Sequence, residues 1–180
     1  MQRLLGVISV GCDGRPAAAV RQSLGGESLL QRAARTIAEA GCDRVVASLP
    51  DPGLEGAALQ AALVPLVRPP AAGSLEAAVA QALDAEDDAY GHVLVLDPLL
   101  PLWRPGRLAQ AIRLAVRERA DCVFSCHRES ALLWHRSAMG LVPYFDPARR
   151  PGLGTVADDL PWLKEDGAFY LLEVACFRRS

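Results

Sequence analysis

The sequence predicts a three-layer α/β fold built on a mostly parallel, Rossmann-like sheet. Three observations carry that reading. Short β-branched runs alternate with longer runs rich in alanine and leucine. Most of the strand-like runs are near-continuously apolar, as strands buried on both faces of a parallel sheet must be. The spacing between them suits one crossover helix per strand, which is the right-handed βαβ unit.

Taken in order, the predicted strands are Leu4 to Val10, Arg44 to Ser48, His92 to Leu96, Cys122 to Ser125 and Ala168 to Cys176, with a weaker one from Leu63 to Val67. The first four are expected to be buried on both faces. Leu29, Leu30, Ala33, Ala34, Ile37 and Ala38 form one helical stripe that Gly41 ends. Ser74 is placed to cap a helix running to about Leu83, with Glu76 in its first turn. Leu108, Ala111, Ile112, Ala115 and Val116 repeat at helical spacing, with arginines on the opposite face. Residues 130–161 break this rhythm. Pro143, Pro147, Pro151, Gly152 and Gly154 crowd the stretch, and Trp134, His135 and Tyr144 lie in it. An excursion of this kind from a regular core is expected to be a lid, a substrate loop or a dimerisation arm.

Composition excludes several classes. The chain has 180 residues, fits one domain, and is 51% apolar, too much for a disordered chain. Its longest apolar runs are interrupted by Gln, Asp or Pro and fall short of the ~18 residues a membrane span needs. A net charge of −2 shows no nucleic-acid-binding face. The basic residues are almost all arginine, and Lys164 is the only lysine. The opening stretch, Met1 to Val10, is short, β-branched and without a small-residue cleavage site, so it reads as a strand and the protein as cytoplasmic. Cys12, Cys42, Cys122, Cys126 and Cys176 lack metal-ligand spacing and read as small hydrophobes in a reducing compartment.

In an open α/β sheet ligands bind beyond the carboxyl ends of the strands, and three segments fall there. Val10 leads into Gly11-Cys12-Asp13-Gly14-Arg15-Pro16, where glycines let backbone N–H groups approach phosphate and Arg15 supplies charge. An ordinary strand-to-helix turn reads the same way. Asp97 follows a buried strand, in Asp97-Pro98-Leu99-Leu100-Pro101-Leu102-Trp103-Arg104. A carboxylate at that edge commonly holds Mg²⁺ beside a substrate phosphate, or caps the loop that follows. Lys164-Glu165-Asp166-Gly167 reads as a charged turn opening the last strand. His127 and His135 have no matching metal-ligand spacing and read as structural.

Together and in order these segments resemble the acylneuraminate cytidylyltransferase family, which includes the CMP-sialic acid synthetases. The family's A-R-x-G-S-K loop and L-G-G-K-P-L-L correspond to the segment ending Gly11-Cys12-Asp13-Gly14-Arg15 and to Leu24-Gly25-Gly26-Glu27-Ser28-Leu29-Leu30. Its D-R-V-V-V-S-T-D resembles Asp43 to Ser48 and, loosely, Asp51, and its S-S-L resembles Gly73-Ser74-Leu75. Its L-L-Q-P-T-S-P-L-R resembles Val95 to Trp103, and its E-N-G-A-I-Y-V resembles Glu165 to Leu171. The resemblance implies a nucleotide-diphospho-sugar transferase fold and a homodimer whose arm is the irregular region. It also implies a Mg²⁺-dependent transfer of CMP from CTP to an acidic sugar with release of pyrophosphate. In that frame Arg15, Arg21 and Asp97 are the catalytic candidates, Val10 to Arg15 and Ser74 the nucleotide contacts, Asp97 the metal ligand, and Arg104, Glu165 and Asp166 the acceptor contacts.

The departures fall on charged and hydroxyl positions. Gly11 and Gly14 stand at the loop's arginine and serine, and Arg15 replaces its lysine. Arg21-Gln22 is the nearest counterpart of a lysine-asparagine pair. Leu99 and Leu100 replace two hydroxyls, and Trp103 replaces an arginine. No counterpart of the family's D-I-D segment occurs before Ser180. A second expectation therefore stands beside the enzyme: a degenerate homologue that keeps the fold and binds a nucleotide or a protein partner without turnover.

Overall fold

The strand-forming stretches sort their side chains by alternation, and the sort decides the layers. On β1 (Leu4–Ser9), Leu4 and Ile8 point into one cluster and Leu5 and Val7 into the other. β4 (Arg44–Leu49) does the same with Ala47 and Leu49 against Val46. β6 (His92–Leu96) repeats it with Leu94 and Leu96 against Val93 and Val95. A sheet apolar on both faces needs helices on both faces. These are α1 (Leu29–Glu39), α2 (Glu55–Gln60) and α4 (Arg107–Glu118) on the first cluster and α3 (Leu75–Asp84) on the second.

The computed structural model describes residues 3–69, 72–86, 89–104, 106–128, 132–150, 152 and 163–179. The chain divides into two units, Met1–Phe124 with Gly167–Ser180, and Ser125–Asp166. The main sheet has the order β5-β4-β1-β6-β10-β7, where β5 is Val64–Val67, β7 is Cys122–Arg128 and β10 is Leu163–Glu173. β5, β4, β1 and β6 run parallel, and β10 pairs antiparallel to β6 through Phe169↔Leu96 and Leu171↔Leu94. The predicted mostly parallel α/β sheet is therefore present. Two minor strands, β2 (Ser23–Leu24) and β3 (Glu27–Ser28), form a small hairpin before α1.

Helix starts follow the sequence signals. Ser28 and Gln31 form a reciprocal capping box on α1. The Ala77 amide donates to the Ser74 hydroxyl at 3.1 Å to begin α3. Gly6 has no side chain because α1 comes close: an added Cβ would lie 3.0 Å from Ile37 Cδ1 and 3.1 Å from Cys42 Sγ. Burial there pushes the Cys42 thiol up to about 12.

Several expectations are corrected. Cys122 to Ser125 is not a strand buried on both faces. β7 is the last strand of the sheet, its residues alternate between exposed and partly covered, and Cys122 and Cys126 are exposed. The last strand begins at Leu163 and ends at Glu173, after which α5 (Val174–Phe177) takes over. The segment Lys164 to Gly167 therefore lies inside a strand and not in a turn before it.

The second unit contains the hairpin of β8 (Trp134–Ser137) and β9 (Gly140–Pro143), paired Trp134↔Pro143 and His135↔Val142, where the sequence reading assigned no strand. Trp134 meets Phe145 edge-on at 5.4 Å. Met139, Leu141 and Tyr144 are exposed. Of the excursion predicted over 130–161, residues 130, 131, 151 and 153–161, Pro151 and Gly154 among them, lie outside the described residues. Among the described residues no helix is long and apolar enough to cross a membrane.

Ile37 is fully buried between α1 and the sheet. Replacing it with alanine removes about 2–5 kcal/mol of stability. Urea denaturation should show the midpoint fall with an unchanged slope.

Candidate functional site

The loop after β1 takes a shape that few residues hold. Gly11, Asp13 and Gly14 have φ of 66°, 53° and 77°, the left-handed region that glycine and, more rarely, aspartate tolerate. At Gly11 an added Cβ would stand 2.8 Å from Ala17 Cβ, so the chain turns there too tightly for any side chain. Cys12–Gly14 form one 3₁₀ turn, closed by the Arg15 amide donating to the Cys12 carbonyl at 3.1 Å. The Asp13 amide donates to the Gly73 carbonyl at 2.9 Å, which ties the loop to the residue before the α3 cap. Cys12 is buried beneath, and burial raises its thiol pKa against the lowering influence of the Arg68 charge.

Arg15 and Asp97 meet. Arg15 Nη1 lies 2.7 Å from Asp97 Oδ2, with the arginine side chain 39% exposed and the aspartate 8%. Asp97 Oδ1 accepts from the Leu99 amide at 2.8 Å, and its own amide donates to the Ala168 carbonyl at 3.1 Å. The two residues come from the carboxyl ends of adjacent parallel strands, β1 and β6. Burial raises the Asp97 carboxyl above its ordinary value, opposed by the Leu99 amide and the Arg15 charge. Gly167 borders the pair: with φ at 72°, it leaves the space where a Cβ would sit 3.1 Å from Arg15 Nη2.

A residue that the sequence reading passed over lies under this loop. Arg68 follows β5 and is 2% exposed. Its Nη2 donates to the Val10 carbonyl at 2.7 Å, its Nη1 to the Ser48 carbonyl at 2.7 Å and hydroxyl at 3.0 Å, and its Nε to the Ala72 carbonyl at 3.1 Å. Gln81 extends the network, accepting from the Ser48 hydroxyl at 2.9 Å and donating to the Val67 carbonyl at 2.7 Å. Among the described residues no carboxylate pairs with Arg68. The signal for it was available: Arg68 ends a strand of the same sheet, at the edge from which Gly11 and Asp97 were picked out.

Arg21, Ser74 and Arg104, also predicted for the site, are engaged elsewhere. Arg21 donates to the Gly53 carbonyl at 2.5 Å. Ser74 spends its hydroxyl as acceptor on the α3 cap. Arg104 is exposed on a separate cleft of about 110 Å³ with Arg32, Arg35, Trp103 and Arg107. Glu165 and Asp166 belong to the second unit, where the Ser125 hydroxyl donates to Asp166. Leu99 and Trp103 pack against the core cluster, with Trp103 6.0 Å from the Phe169 ring.

Among the described residues no group of three His, Cys, Asp or Glu side chains could hold a metal ion. At this edge Asp97 offers one buried carboxylate. A single carboxylate completed by substrate phosphates and water suits Mg²⁺, so the donors fit an ion that arrives with a polyphosphate and not one held by the chain itself.

Comparison with known proteins agrees with the architecture. The MobA-like NTP transferase domain model matches residues 20–151. A CMP:2-keto-3-deoxy-manno-octonic acid synthetase solved with CTP is similar at a TM-score of 0.73 and 16% identity, over 98% of this chain and 76% of that one. A 4-diphosphocytidyl-2C-methyl-D-erythritol synthase from Anaerococcus prevotii gives 0.70 and 12%, over 99% and 76%. A Mycobacterium tuberculosis H37Rv protein solved with manganese gives 0.56 and 15%, over 99% and 74%. No curated protein matches the chain.

Two stability measurements test the geometry. Arg68→Met takes the donor from the Val10 and Ala72 carbonyls, while the Ser48 carbonyl keeps the Val10 amide at 3.0 Å, and at about 1–3 kcal/mol for each unsatisfied group it should remove at least about 2 kcal/mol. Arg68→Lys should restore only part, since an ammonium lacks the planar fork. For Asp97, a raised folded pKa means the folded chain holds that proton more tightly than the unfolded chain. Stability from this group is present at acid pH and lost as pH rises through the folded value. Asp97→Asn, which keeps an acceptor for Leu99 and buries no charge, should melt at or above the wild-type temperature at pH 7. The gap should close on acidification, and a lower melting temperature at pH 7 would contradict the reading.

Proposed function

The chain belongs to the MobA-like NTP transferase domain family, and from that premise we propose that it transfers the cytidylyl group of CTP to an acidic sugar or a related acceptor. The observation that carries the reading is the Arg15–Asp97 pair at the carboxyl ends of β1 and β6, beside a glycine-bearing loop. Similarity to two cytidylyl-forming enzymes, one solved with CTP, supports cytosine as the base. The acidic acceptor rests on the sequence resemblance. None of the five cysteines is in a disulfide, which suits a cytoplasmic setting.

In this reaction an acceptor oxygen bonds to the α-phosphorus while the bond to the bridging oxygen breaks. Pyrophosphate leaves with the electron pair, and the hydroxyl proton passes to solvent. Little covalent work falls to the protein; positioning and charge stabilisation dominate. The turn at Gly11 to Gly14 lets phosphate oxygens approach the backbone closely. Arg15 neutralises charge that spreads over the phosphates, and Asp97 would hold Mg²⁺. When bound, that ion polarises phosphate oxygens and offsets their charge. Arg68 fixes the Val10 carbonyl and so the direction in which the loop leaves β1.

One observation favours the second reading, a binding protein without turnover. Leu99 and Trp103 pack into the core, and Arg21 is engaged by Gly53, so charges and hydroxyls expected around a transition state lie elsewhere.

Pyrophosphate release with CTP, Mg²⁺ and a panel of acidic sugars separates the two. Turnover supports the enzyme; a thermal shift with CTP and no release, in a stable dimer, supports the scaffold. A ligand at 100 times its Kd stabilises by ~2.7 kcal/mol. Arg15→Ala should weaken CTP roughly 10- to 100-fold, as loss of a charge-assisted hydrogen bond of about 1.5–3 kcal/mol implies. An unchanged shift would remove Arg15 from the site.

A further inference from the structure

Both oxygens of Asp97 are engaged, one by the Leu99 amide and one by Arg15. The two partners of the ion pair differ in freedom. Asp97 is fixed: it is buried, bonded through its side chain to Leu99, and anchored through its amide to Ala168. Arg15 is 39% exposed and follows Gly14, around which an added Cβ would meet nothing within 4 Å. The guanidinium is therefore the part that can leave.

Its departure is not free in isolation. A bare divalent cation must displace a formed ion pair to reach Asp97. A metal-free triphosphate that draws Arg15 away leaves a buried carboxylate without its cation and facing phosphate charge. Supplied together, the two ligands cancel both penalties, since the cation takes Asp97 as the phosphates take Arg15. We propose that Arg15 is the stand-in cation of Asp97, and that the site admits a metal–nucleoside triphosphate complex as a unit by exchanging this pair. The inference rests on the nucleotidyltransferase reading above. Two ligands that each relieve the other's penalty bind with positive, reciprocal coupling, roughly 5- to 150-fold for such linkages.

The test uses Mn²⁺, counted by its electron paramagnetic resonance signal, and CTP, measured by calorimetry, on the full chain. Wild type should bind free Mn²⁺ at least tenfold more weakly than Arg15→Met, and Arg15→Lys should behave like wild type. Asp97→Asn should bind metal-free CTP more tightly than wild type and gain nothing from Mn²⁺. Equal free-Mn²⁺ affinity in wild type and a folded Arg15→Met, with the fold checked by circular dichroism, overturns the exchange. So does Asp97→Asn whose metal-free CTP affinity is no higher than wild type. If no protein binds CTP but Arg15→Met still gains Mn²⁺, the exchange stands and the nucleotidyltransferase reading fails.

Discussion

The arrangement of the site depends on a buried cation that, among the described residues, pairs with no carboxylate. The Arg68 guanidinium binds the carbonyls that close β1 and β4 and the carbonyl of Ala72. Parallel strands leave their last carbonyls without a ladder partner, and a buried acceptor must be satisfied. One planar fork serves the Val10 carbonyl and shares the Ser48 carbonyl with the Val10 amide, and so ties together the ends of β1 and β4 from which the glycine loop starts. Through Gln81 the same network reaches β5 and α3. The loop's shape is thus inherited from below as well as from its own left-handed residues.

Above that floor, Asp97 is a strained choice of residue. Burial works against its ionised form, and a hydrophobe in its place would pack with less penalty. Charge held where it is costly is the usual mark of a binding edge, because the energy withheld in folding is returned when a ligand supplies the missing counter-charge. Arg15 offsets part of it meanwhile. The result is an edge that is closed on itself by one contact between adjacent strands.

Periodicity made the layers legible in the sequence. The runs over β1, β4 and β6 alternate between two apolar clusters, and Ser74 and Gly41 mark helix ends by local chemistry that needs no tertiary context. β7 misled because an apolar run at a sheet's edge reads like one at its centre; only strand order tells them apart. The β8–β9 hairpin was hidden by its prolines and glycines, which punctuate a hairpin and an irregular loop alike. Gly11, Arg15 and Asp97 were legible through one rule, that ligands gather at strand carboxyl ends. Arg68 obeys the same rule but does its work through main-chain carbonyls, which leave no trace in side-chain motifs. The partners of Arg21 and Arg104 are set by how the chain returns on itself, which no local pattern encodes.

The outer strand of the sheet has a consequence for handling the protein. β7 comes last in the strand order, and Phe124 is exposed on it. Edge strands as a class can recruit further strands, from the same molecule's neighbours as readily as from anything else. Arg128 puts a charge at one end of the strand, and Cys122 to Ser125 carry none. With two solvent-facing thiols along it, at Cys122 and Cys126, that rim is where crowding and oxidation would act together, and where a single lysine would most cheaply keep molecules apart.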